Sequence, residues 1–154
     1  MLAGCTREVV SSAQKDLPER GWAMTDTAML TLQVKDTAQA YDLALILRHT
    51  DNYAYQNLWL FLQYADSLSP VSGKDTIQAI LADDHGRWLG TRAGRYYDGY
   101  VFVRRDLHFS QPGTYTWRIV HGMRDSVICG IADVGLELRV KSNKWLQLKW
   151  AKIS

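Results

Sequence analysis

The chain has 154 residues, of which 47% are hydrophobic, and its formal net charge is only +2. This length fits one ordinary domain with a buried core, and the near-neutral charge gives no electrostatic reason to expect a nucleic-acid partner. No run of about 18 apolar residues occurs, so the sequence predicts no membrane-spanning helix.

The first residues carry the sharpest short motif. Leu2-Ala3-Gly4-Cys5 matches a bacterial lipobox, in which an apolar residue and two small residues precede a cysteine that receives a diacylglyceryl group. Such a site follows a charged segment and a long apolar segment. Neither precedes Met1, so we expect either a gene start further upstream or a trimmed sequence. The polar stretch 6–18 that follows is typical of a tether. We therefore predict a lipobox remnant and flexible tether over residues 1–19, with Cys5 carrying a covalent lipid.

Most of the remaining chain shows the two-residue alternation of β-strands. Alternating apolar residues run through 30–34, 41–47, 58–64, 76–82, 101–103, 115–119 and 133–141. Turns are predicted at 66–74, 83–86 and 111–113, and a long loop at 90–99. We predict an all-β protein with a single antiparallel β-sandwich over residues 20–141. Its topology, immunoglobulin-like or jelly-roll-like, stays open.

Two further segments are less clear. Residues 142–154 form a basic and aromatic C-terminal extension, in which 144–150 is a candidate terminal strand. Cys129 lies in an apolar run, which predicts a buried, inert thiol.

Several segments together resemble the gliding-motility lipoprotein GldH family of Bacteroidetes. In chain order they are Asn57-Leu58-Trp59-Leu60, Asp75-Thr76-Ile77, Trp88-Leu89-Gly90, Gly113-Thr114-Tyr115 and Val134-Gly135-Leu136. The N-terminal lipobox belongs to the same pattern. The resemblance implies a lipid-anchored protein of the cell envelope, expected in the outer membrane. It also implies a role in gliding, through machinery linked to the type IX secretion system.

A candidate interaction surface follows from the Gly-, Arg- and Tyr-rich segment 88–100, because arginine and tyrosine are favoured at interface hot spots. Its predicted members are Trp88, Arg92, Arg95, Tyr96, Tyr97 and Tyr100. We also predict a structural ion pair between Arg124 and Asp133, since both border apolar runs.

We predict no metal site and no cofactor other than the lipid. Asp83, Asp84 and Asp133 could offer oxygen ligands to calcium, but adjacent acids in a turn are the simpler interpretation. The four histidines show no metal-ligand spacing.

Three functions are compatible with these patterns. The favoured hypothesis is a non-enzymatic structural or assembly protein, held to the membrane by its lipid, that contacts other envelope, motility or secretion proteins. The alternative is a carbohydrate-binding module, which a row of aromatic rings on an open sheet face would favour. An envelope hydrolase would require a cleft with two carboxylates about 5–10 Å apart.

Overall fold

A computed structural model describes residues 8–66 and 69–141. Within these ranges the chain forms eleven strands and the structure shows no helix. The strands are β1 (Val9–Asp16), β2 (Trp22–Ala23), β3 (Ala28–Val34), β4 (Tyr41–Thr50), β5 (Asn57–Asp66), β6 (Ser69–Ile80), β7 (Thr91–Ala93), β8 (Tyr96–Leu107), β9 (Gly113–His121), β10 (Val127–Ile128) and β11 (Ile131–Val140). No helix in the described part of the chain is long and apolar enough to cross a membrane.

The strands form two antiparallel sheets. One has the order β1-β11-β4-β8-β7, the other has the order β3-β9-β5-β6, and β2 pairs with β10 in a small separate ribbon. When the short strands β2, β7 and β10 are set aside, the eight long strands follow the order of a jelly roll. The predicted all-β sandwich is therefore confirmed, and the strand order decides between the two topologies that the sequence left open.

The core lies between the two sheets and is built by the alternation that the sequence shows. Every second residue of β4, β5 and β11 points inward, so that leucines dominate the space between the layers. The largest fully buried side chains of these strands are Leu43, Leu45, Leu47, Leu58, Leu60, Leu62, Leu136 and Leu138. Trp117 and Ile119 of β9 complete the layer from the second sheet.

The structure corrects three boundaries. The stretch predicted as a tether contains β1, which pairs with β11 from Val9 to Asp16, so the domain begins before residue 20. The turn predicted at 66–74 was wrong for its second part, because β6 already begins at Ser69. The predicted loop at 90–99 is mostly the hairpin of β7 and β8, which turns at Gly94 with a φ of 62°. Cys5 and the tail 142–154, with its candidate strand, lie outside the described residues.

Candidate interaction site at one end of the sandwich

An open cleft of about 840 Å³ lies at the end of the sandwich where β1 and β4 finish and β8 and β11 begin. The backbone of the connection between β10 and β11 forms part of its wall. Its polar lining includes Asp16, Arg48, Asp51, Arg95, Tyr96 and Asp133. Three strands, β1, β4 and β11, and the loops beside them thus bring charged side chains together at one end of the fold.

A row of charged residues crosses the outer face of the five-stranded sheet at this cleft. Asp16 is the register partner of Asp133, Asp133 of Arg48, and Arg48 of Asp98. Direct cross-strand partners lie close enough for their side chains to interact. The row therefore arises from strand register, not from proximity along the chain.

Arg48 and Asp98 form a two-pronged ion pair at the β8 end of this row. Arg48 Nε donates to Asp98 Oδ1 over 2.6 Å, and Arg48 Nη2 donates to Asp98 Oδ2 over 3.0 Å. The hydrogen bond from Arg48 lowers the pKa of Asp98, and the same bond raises the pKa of Arg48. Planar guanidinium and carboxylate groups match in this geometry, so the pair holds β4 and β8 in register.

Asp133 is the most deeply buried acid of the row, at 6% exposed. Burial raises its pKa, and the neighbouring carboxylates of Asp16 and Asp98 act in the same direction. The positive charge of Arg48 and a hydrogen bond with Gln14 oppose this shift. The predicted ion pair with Arg124 is not formed: no ion pair among the described residues includes Arg124, which is exposed on a different loop. Strand pairing instead places Arg48 beside Asp133.

A cluster of aromatic rings lies beside the cleft around His49, which is almost completely buried. The rings of His49 and Tyr97 stack at 5.4 Å, and Trp88 packs against the same imidazole at 4.5 Å. Trp88 Nε1 donates to Asp51 over 3.0 Å. Burial lowers the pKa of His49. Trp88 and Tyr97 therefore contribute to the packing of this end of the domain.

The six residues predicted as one surface divide into three places. Arg95 and Tyr96 line the cleft, where the Arg95 guanidinium lies 5.0 Å from the Tyr96 ring centre. Arg92 lies over the ring of Tyr97, in the aromatic cluster. Tyr100 lies on the outer face of the sheet beneath Arg139. The structure thus brings only two of the six into the cleft.

Cys129 also lies at the cleft, and the prediction that it is buried was wrong: its free thiol is exposed. The apolar run that contains it is not one strand, because β10 ends at Ile128 and β11 begins at Ile131. Between them Gly130 adopts a φ of 95°, so the inward and outward alternation restarts after Cys129.

The predicted turn at Asp83 is present and explains the acids there. Asp83 Oδ1 accepts the backbone N–H groups of His85 and Arg87 over 2.9 Å each, and Asp83 Oδ2 accepts Arg87 Nε. These hydrogen bonds lower the pKa of Asp83. In residues 8–66 and 69–141 no group of three or more His, Cys, Asp or Glu is arranged to hold a metal.

Sequence reasoning missed Arg48, which lines the cleft, and its ion-pair partner Asp98. The stretch from Arg48 to Asn52 has the composition of a loop, yet β4 continues to Thr50. The sequence did contain one local indication, because the alternation of the strand continues through these residues. Arg48 faces outward like Ile46, and His49 faces inward like Leu47.

Comparison with known proteins identifies similar sequences along nearly the whole chain. A family model described as GldH lipoprotein matches residues 9–138. A protein of Christiangramia forsetii named gliding motility lipoprotein GldH homolog is 24% identical over 150 residues, covering 93% of this chain and 91% of that protein. The gliding motility lipoprotein GldH of Flavobacterium johnsoniae is 24% identical over 148 residues, covering 92% and 91% respectively.

A solved structure is also similar in outline. A carbohydrate-binding module specific for non-crystalline cellulose is 9% identical and covers 85% of this chain and 73% of its own, with a TM-score of 0.47. This likeness is too distant to support an argument about function.

Proposed function

Since this chain belongs to the GldH lipoprotein family, which is linked to gliding motility, we propose that it is a non-catalytic assembly protein of the cell envelope. Lipid on Cys5 anchors it, in the outer membrane, and the cleft end of the sandwich contacts another envelope protein of the motility or secretion machinery.

The observation that supports this proposal is the open cleft with Arg95 and Tyr96 at its rim. Arg95 belongs to the turn of the β7–β8 hairpin and Tyr96 begins β8. The guanidiniums of Arg48 and Arg95 both contact the Tyr96 ring. Tyrosine and arginine provide large contact areas and directed hydrogen bonds at protein interfaces. The cleft has both signs of charge, which suits a partner with a mixed polar surface.

The contacts within the cleft also favour a binding role over catalysis. The guanidinium of Arg48 and the carboxylate of Asp98 already bind each other through two hydrogen bonds. Asp133, whose raised pKa would suit a general acid, lies against Arg48 and hydrogen-bonds Gln14. These are the contacts expected of groups that hold strands in place.

The proposal is tested by site-specific photo-crosslinking in cells, with the cross-linking amino acid at Arg95 of the full-length gene. The matched control position is Ser110, which is exposed at the opposite end of the sandwich. We expect cross-links from position 95 to an envelope protein and few from position 110. Mass spectrometry of the same material is expected to find lipid on Cys5.

Substitution provides the second part of this test. Arg95→Ala with Tyr96→Ala is expected to reduce recovery of the cross-linked or co-purified partner about tenfold, because hot-spot residues dominate interface energy. Equal cross-linking from positions 95 and 110, or undiminished recovery with the double variant, would contradict the proposed surface.

A further inference from the structure

A second concave surface lies on the outer face of the four-stranded sheet. It is a groove of about 600 Å³, within the size range of small-molecule sites. The rings of Tyr55, Trp59 and Phe61 line it together with Asn57, Thr76 and the loop 122–125. None of these residues belongs to the cleft.

All three rings of this groove face solvent, and two of them belong to β5. Trp59 is 38% exposed and Phe61 is 45% exposed. They stand side by side on the outer face of β5, because Leu58, Leu60 and Leu62 fill the inward positions. Neighbouring exposed rings in a concavity mark a binding surface more strongly than isolated exposed side chains.

The loop 122–125 holds the groove in shape. Gly122 N–H donates to the carbonyl oxygen of Trp59 over 2.7 Å, and Trp59 N–H donates to the sulfur of Met123 over 3.3 Å. A Cβ on Gly122 would lie only 2.6 Å from Phe61 Cε2, so the glycine allows the ring to lie against the loop. The Tyr55 hydroxyl donates to Asp125. A wall tied to β5 in this way reduces the ordering that a ligand would have to impose.

The polar groups around the rings are mostly amides and hydroxyls. Gln78 is the register partner of Trp59, and Thr76 is the register partner of Phe61. The same face continues across β3 and β9 with hydrogen-bonded pairs of neutral side chains, Thr31 with Thr116 and Gln33 with Thr114. The groove itself has two charged residues, Arg124 and Asp125, of opposite sign. The surface therefore complements an uncharged ligand that has apolar faces and hydroxyl-rich edges.

We propose that this groove binds an uncharged stretch of a cell-envelope glycan chain. Sugar rings stack with their C–H faces on Trp59 and Phe61, and their hydroxyls exchange hydrogen bonds with Asn57, Thr76 and Gln78. Aromatic side chains supply the apolar contact, and the few amide and hydroxyl groups fix the orientation. The proposed protein-binding cleft is separate, so the domain would join a glycan on one sheet to a protein at its end.

A polypeptide ligand is less well matched to this face. Stable protein interfaces need a continuous buried core ringed by polar residues. Here the two rings have Gln78 and Thr76 as direct neighbours on β6. On the other side, β9 is the adjacent strand: Val120 is the register partner of Phe61, and Thr116 lies further along β9. Amide and hydroxyl side chains border both rings along β6, and this arrangement suits a chain of sugar rings.

The test uses the purified full chain and three neutral hexasaccharides, of β-1,4-linked glucose, β-1,4-linked mannose and β-1,4-linked N-acetylglucosamine. Binding is measured by isothermal titration calorimetry and by saturation-transfer NMR, which detects the ligand protons in contact with the protein. We expect millimolar or tighter binding of at least one sugar, with saturation strongest at the C–H protons of the stacked faces. Trp59→Ala is expected to weaken binding about tenfold or more, and Phe61→Ala several-fold.

The matched control is Met29→Ala, on the same outer face but outside the groove and 53% exposed. Its affinity for the sugar should equal that of the unchanged chain, and thermal unfolding should show that all variants fold. The proposal is overturned if no sugar binds at ~10 mM. It is also overturned if Trp59→Ala binds as well as the unchanged chain, or if Trp59 proves instead to be the contact point of a cross-linked protein.

Discussion

At the scale of single residues, the buried histidine His121 makes the stability of this domain sensitive to pH. It ends β9 beneath the β2–β10 ribbon, with its ring 5.6 Å from that of Trp22. Its Nδ1 accepts the backbone N–H of Met123 over 3.3 Å, which requires this nitrogen to be unprotonated. Burial lowers the pKa of His121, as it does for His49 at the other side of the same end.

A lowered pKa in the folded state means that the unfolded chain takes up protons first as the pH falls. The stability due to the neutral histidines is therefore complete above their unfolded pKa of about 6.5 and is lost below it. We expect the free energy of unfolding to decrease between about pH 6.5 and pH 5, by up to about 1.4 kcal/mol per pH unit for each histidine. Urea unfolding at a series of pH values measures this.

His121→Leu should lower stability at neutral pH, because Met123 N–H loses its acceptor, and should reduce the slope below pH 6.5. His85→Ala is the control, since His85 is exposed in a turn. If His121→Leu keeps the full slope of the unchanged chain, the buried neutral histidine is not its cause.

At the scale of whole elements, β1 is an edge strand that the sequence pattern did not predict. Most of its side chains are exposed, and only those of Ser11 and Ala13 are half-buried. The stretch therefore lacks the apolar alternation by which strands are recognised. Its pairing depends on backbone hydrogen bonds to β11, which the composition of β1 does not reveal.

Removal of residues 1–16 should therefore destabilise the domain relative to removal of residues 1–7, which retains β1. Loss of β1 leaves one edge of β11 without its ladder partners, at about 0.5–1.5 kcal/mol for each net hydrogen bond. We expect a fall of at least about 2 kcal/mol in the free energy of unfolding, measured by chemical denaturation of the unlipidated chains. Equal stability of the two truncated proteins would mean that β1 adds nothing to the stability of the domain, as expected of a tether.

At the scale of the molecule, an ion pair bridges the two sheets along one open side of the sandwich. Arg104 of β8 donates from Nε and Nη2 to the carboxylate of Asp75 on β6, over 2.9 Å and 3.0 Å. The Asp75 side chain is 19% exposed, and the Arg104 guanidinium also lies over the ring of Tyr64. The pair therefore links β8 of one sheet directly to β6 of the other.

A double-mutant cycle with Arg104→Ala and Asp75→Ala measures the strength of this bridge. We expect a coupling energy of about 1 kcal/mol, because the pair is two-pronged and partly shielded from water. The exposed pair Arg87 and Asp83 is the control, and its coupling is expected to be smaller because water screens it. Coupling at Arg104 no larger than at Arg87 would mean that the sheets are held by the apolar core alone.

The sequence by itself determined the fold class, the positions of the central strands and the family. The reason is that two-residue alternation, as in 41–47 or 133–141, reports directly which residues face a core. It also indicated that the segment 88–100 is rich in recognition side chains, although it could not say which of them point outward.

Only the tertiary structure decided which charged residues meet. Alternation shows the face on which a residue lies but not the strand that lies beside it. Arg48 therefore pairs with Asp98, fifty positions away, and Arg124 leaves Asp133 without the predicted partner. The same is true of the jelly-roll order, the cleft and the groove at Trp59, none of which can be read from alternation alone. They depend on strand register and sheet pairing, which are long-range properties of the whole chain.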